Sequence, residues 1–168
     1  MPFTQANQGS NLKPVFDETN VGLLFPQNDE THKIYMVVQI PHSYKEGSSI
    51  YPHIHWQQTG SLFPVWKMDY KWFNIGDLVP ATFTTLETKT GIKTWESGNL
   101  HQVSSFGIIN GAANSSGGGI SANSKGISSI LLIMIYRLDN VVYGNVSGFQ
   151  FDVHFEKDID GSRQEFIK

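Results

Sequence analysis

"VWKMDYKWF", residues 65–73, decides the fold. Trp66, Met68, Tyr70 and Trp72 fall on one parity, and Lys67, Asp69 and Lys71 on the other. A strand alternates its side chains between two faces, so it buries the first set and wets the second. A helix would scatter the same residues around its axis. The stretch is a half-buried strand, and its neighbours are read outward from it.

Upstream, KIYMVVQI (33–40) puts Ile34, Met36, Val38 and Ile40 on one face, and PHSYKEGSS turns the chain into YPHIHWQQT (51–59). TGSLFP then leads into the deciding strand, and NIGD closes it. Downstream, VPATFTTLET (79–88) is threonine-rich, KTGIK reads as a hairpin turn, and 99–109 is a weaker strand. ISSILLIMIYRL (127–138) is apolar on both faces, the pattern of a central strand covered on both sides. In GFQFDVHFE (148–156) the alternation points Phe149, Phe151, Val153 and Phe155 inward against Gln150, Asp152, His154 and Glu156. No amphipathic helix and no internal repeat stand out. The expectation is a single all-β domain over 31–156, a β-sandwich or jelly-roll-like fold of about seven or eight antiparallel strands.

Three segments have no core of their own. Residues 1–30 read as an extended arm whose apolar patch VGLLFP packs on this domain or on a neighbour. Residues 110–127, nearly all small or polar, read as a flexible Gly/Ser surface loop. Residues 157–168 form a polar C-terminal tail with one apolar pair, Phe166 and Ile167. Leu23, Leu24, Phe25, Phe166 and Ile167 are the expected partner-binding side chains.

Composition narrows the function. At 168 residues the chain is long enough for one self-sufficient core, and the absence of cysteine removes disulfides and thiolate metal sites. A net charge of −3 argues against nucleic acid as a partner. No basic stretch leads into an apolar core at the start, and the longest apolar run, within 127–136, is too short for a membrane helix. A soluble protein without membrane partners is expected. Only 16% of residues are charged while 12% are aromatic, which suits a β-rich chain or one whose surface is covered by partners.

The chemistry-bearing motif is HxH at His53 and His55. Two residues apart on one strand face, the imidazoles point the same way and can share Zn²⁺ or Fe²⁺, as in double-stranded β-helix enzymes. A third ligand is required. His154 is the first choice, with Asp152 and Glu156 on the same strand and His42 and His101 elsewhere as further candidates. Cupin-type sites follow HxH with a nearby glutamate, whereas HIHWQQTGS offers only Gln57 and Gln58. The preferred reading is therefore structural, with Ile54 and Trp56 in the core and the histidines on the other face. No catalytic residue and no cofactor are expected. There is no GxSxG elbow, the triple glycine at 117–119 lacks a following GK[ST], and Asp158 and Asp160 sit in the polar tail. The stripe Trp66, Tyr70, Trp72 suits sandwich core better than a sugar-stacking platform.

Several phrases together resemble a family. NVGLLFPQND, QIPHSYKEGSSIYPHIHW, the strand ending YKWFNIGD, and FQFDVHFEKDIDGSRQEFIK look like a group of short proteins encoded among the virion genes of tailed bacteriophages and prophages. The resemblance spans about residues 20 to 168, densest at 39–56 and 149–168. It carries no catalytic residues. It implies a non-enzymatic structural protein of the virion: a capsid decoration or auxiliary protein, or a head-to-tail or tail-associated one. Its partners would be other virion proteins and further copies of itself. The alternatives are a metal-dependent β-sandwich enzyme using the His53/His55 pair and a carbohydrate-binding host-recognition module.

Overall fold

A computed structural model describes residues 7–8, 14–19, 21–26, 29–58, 64–88, 100–113, 123–138, 144–158 and 160. In chain order these form β1 (Asn7–Gln8), β2 (Val15–Asp17), β3 (Gly22–Phe25), β4 (Lys33–Gln39) and β5 (Ile50–Gln58). Then follow β6 (Val65–Phe73), β7 (Thr84–Glu87), β8 (Gln102–Ser105), β9 (Ile130–Leu138) and β10 (Val146–Phe155). There is no helix among the described residues. The fold is the expected all-β sandwich.

The strands pair antiparallel into two five-stranded sheets, β1-β4-β9-β6-β7 and β2-β3-β10-β5-β8. Setting the flanking β1 and β2 aside, β3, β10, β5 and β8 face β4, β9, β6 and β7, which is the strand order of a jelly roll. Consecutive strands mostly change sheets, so strands far apart in sequence become neighbours. That is how β5 comes to lie against β10.

Register rows build the core. Ile34, Ile135 and Met68 line up across the first sheet, as do Met36, Ile133 and Tyr70, and all six are buried. The second sheet answers with Leu23, Phe25, Ile54, Trp56, Val146 and Phe151. Phe25 meets Trp66 edge-on with centroids 4.9 Å apart. Each such side chain contributes about 1.5–3 kcal/mol by leaving water. Two of the buried indoles keep their polar edges satisfied: Trp56 donates to Ser104 Oγ and Trp72 to Ser129 Oγ, both at 2.9 Å, whereas the Trp66 Nε1 is buried with no hydrogen-bond partner among the described residues. Trp66, Tyr70 and Trp72 are all core, so this stripe offers no stacking platform for a sugar.

Three expectations change. β9 is indeed central, but its outer residues Leu132 and Met134 are only half-buried, beside exposed Tyr35 and Val37. Its apolar outer face packs along the sheet surface. The segment read as an arm is built into both sheets: β1 extends one edge, and β2 and β3 extend the other. Leu23 and Phe25, expected to dock on a partner, are 1% and 0% exposed in this chain's own core, leaving Leu24 half-buried. The cause is pairing, since β10 hydrogen-bonds to β3 and turns alternate residues inward.

The third change concerns the loop at 110–127. Its described ends are anchored rather than free. Lys125 N donates to Gly111 O at 2.7 Å, Asn74 holds Ser124 O and Gly126 N, and Asn123 donates to Asp77. The KTGIK turn, the triple glycine, Phe166 and Ile167 lie outside the described residues.

Candidate functional site

β5 alternates strictly. Ile50, Pro52, Ile54, Trp56 and Gln58 are buried, and Tyr51, His53 and His55 occupy the outer face. The imidazoles face outward because Ile54 and Trp56 claim the interior. On one side β10 sets Asp152 opposite His53, Gln150 opposite His55 and His154 opposite Tyr51. On the other, β8 sets Ser105 opposite His53 and Val103 opposite His55, with His101 just before the strand begins.

A bulge fixes this register. Gly148 pairs with Trp56 and Gln150 with His55, so Phe149 is the extra residue. Phe149 was expected inside with Phe151, Val153 and Phe155. Only Phe151 is fully buried; Phe149 and Val153 are half-buried, and Phe155 is at the exposed boundary. The Phe149 ring lies 6.3 Å from that of His101. The bulge spends one aromatic residue to bring Asp152 beside the histidines.

The polar atoms converge. Asp152 Oδ2 lies 3.1 Å from His55 Nε2 and 3.4 Å from His53 Nε2. One ligand atom from each of the three residues falls within 4.8 Å of the others. A second ring of contacts holds them. Gln150 Nε2 donates to Asp152 Oδ1, and His55 Nδ1 is 2.7 Å from His101 Nε2, with the two rings stacked at 19°. The cluster is half-buried, with side-chain exposures of 13%, 21% and 26% for His53, His55 and Asp152.

The electrostatics favour the neutral form of the His53 imidazole and the ionised form of the Asp152 carboxyl. Burial pushes the His53 imidazole below its ordinary value, helped by His154 and His55 and opposed by Asp152. Burial pushes the Asp152 carboxyl up, but the Gln150 hydrogen bond, with the neighbouring His55 and His53 rings, outweighs it and holds the group low. Lone pairs and negative charge are thus available together.

The expected ligand set was His53, His55 and His154. The first two converge with Asp152 instead, while the exposed His154 ring meets His53 edge-on at 4.5 Å, outside the three-atom group. Asp152 is directly opposite His53; His154 lies two pairs further along, opposite Tyr51. The other candidates are engaged elsewhere. Glu156 pairs with Lys45 at 2.7 Å, and His42 contacts Ser128 Oγ at 2.9 Å. His101 attends His55 through its far nitrogen. Sequence parity placed Asp152 on the outward face, but only the bulged register selects it. An open pocket of about 350 Å³ lined by Glu46, Asn74, Ile75, Ser124, Gly126 and Ile127 shares no residue with the cluster.

No model of a known protein family matches the chain, and a search of curated proteins finds no match.

Proposed function

We propose that the chain is a non-enzymatic structural component of a tailed-phage virion that assembles in multiple copies. Its place is the capsid surface, as a decoration or auxiliary protein, ahead of the neck or tail. The segments at 39–56 and 149–168 direct the reading to phage proteins through their resemblance. Jelly rolls also serve viral capsids, although lectins and cupins share the architecture, so the fold is an analogy only.

The observation that carries the assembling role is the distribution of exposed apolar side chains. Leu78 is 91% exposed at the β6–β7 connection, with Ile75 and Val79 beside it, and Val15 and Phe16 are exposed on β2 at a sheet edge. Grouped at a loop tip and on β2, the edge strand among the described residues, such residues mark surfaces that a partner covers. Partner contact thus moves from Leu23 and Phe25 to this loop and to β2.

Quantitative mass spectrometry and cryo-electron microscopy of purified particles test the reading. Multiple copies per particle, with density over the 74–83 loop contributed by a neighbouring protein, support it. Particles that form and infect without the chain, and never contain it, overturn it.

A further inference from the structure

We infer that His53, His55 and Asp152 form a binding site for a divalent transition-metal cation of the Zn²⁺ class, clamping β5 to β10 on the outer face of the sheet. The inference rests on side-chain geometry and is independent of the virion reading.

Distances carry the argument. Zn²⁺ binds imidazole nitrogen and carboxylate oxygen at about 2.0–2.2 Å, so two ligands of a tetrahedron stand roughly 3.3 Å apart. Two of the three edges here already have that length, 3.1 Å from His55 Nε2 and 3.4 Å from His53 Nε2 to the same Asp152 oxygen. The remaining edge closes within 4.8 Å. Small rotations about the histidine side chains bring both lone pairs onto one point.

The surrounding contacts are those that metal ligands need. Zinc on His55 Nε2 leaves the ring proton on Nδ1, which faces His101 Nε2 at 2.7 Å and donates to it. Asp152 Oδ1 is held by Gln150, so Oδ2 stays aimed at the imidazoles. All three ligands stand on paired central strands, β5 between β10 and β8, which makes the frame rigid. Two nitrogens and one oxygen select zinc, cobalt, nickel or copper over calcium and magnesium, which prefer all-oxygen shells. The fourth position faces outward.

The test uses untagged full-length chain, stripped with a chelator, dialysed, and titrated with Zn²⁺ alone against a chromogenic chelator. Circular dichroism checks that each variant is folded. The expected result is one Zn²⁺ per chain, and a higher thermal midpoint on zinc addition. Asp152→Asn, nearly isosteric, should weaken binding at least ~100-fold and abolish the thermal shift, as should His55→Ala. His101→Gln, which changes only the supporting contact, should cost about 10–100-fold. His154→Ala should leave affinity within ~3-fold, because that ring lies outside the ligand set. Absence of saturable zinc binding overturns the inference. So do unchanged affinity in Asp152→Asn, a loss in His154→Ala as large as in His55→Ala, or equal displacement by Ca²⁺.

Discussion

Val21 sits at φ 53°, in the left-handed region that a β-branched side chain tolerates poorly, at the turn between β2 and β3. The side chain is 68% exposed, so little packing compensates the strain. Val21→Gly should therefore raise stability by about 1 kcal/mol in urea melts. An unchanged or lower midpoint would show that Val21 makes contacts that outweigh the backbone cost. Two tyrosines set a limit at high pH. Burial pushes Tyr44 up to about 12, and its hydroxyl donates to the Ser48 carbonyl. Burial, with Asp69 beside it, pushes Tyr136 up to about 12 as well. A raised folded-state value means that the unfolded chain ionises first. Stability is then complete below about pH 10 and lost as pH rises through 10 to 12. Tyr136→Phe should move the alkaline unfolding midpoint upward in a pH series followed by circular dichroism. A midpoint that stays in place would assign the transition to another group.

Among the elements, β3 and the β5–β10 pair carry the lesson. Residues 1–30, read along the sequence, form an extended arm outside the domain expected at 31–156. Since β3 supplies Leu23 and Phe25 to the core, removal of residues 1–30 should leave a chain that does not fold cooperatively. Leu23→Ala alone should cost about 2–5 kcal/mol, the range for emptying a buried leucine site. A loss under about 0.5 kcal/mol would return β3 to the surface. Strand existence was legible from period-two alternation at 33–40, 51–58 and 65–73, because each strand dictates its own two faces. Register was not. The bulge at Phe149 obeys pairing between strands almost a hundred residues apart, and nothing in GFQFDVHFE announces which aromatic residue is spent.

For the molecule as a whole, the exposed loop tip offers the clearest handle. Leu78→Asp places a charge where no core is disturbed, so the melting temperature should stay within about 2 °C. Incorporation into particles should drop at least ~10-fold by mass spectrometry if that loop is covered in the assembly. Normal incorporation would move the contact surface elsewhere, with the β2 edge bearing Val15 and Phe16 as the next place to examine.

By itself the sequence determined the fold class, the inward and outward faces of the long strands, and the outward position of His53 and His55. These follow from alternation within one strand, a local property. Only the tertiary structure decided that Leu23 and Phe25 belong to the domain's own core, that Asp152 rather than His154 completes the histidine pair, and that His101 stands behind it. Those choices depend on which distant strands become neighbours and in what register. Chain-closing topology and a single inserted residue set them, and neither leaves a period to read.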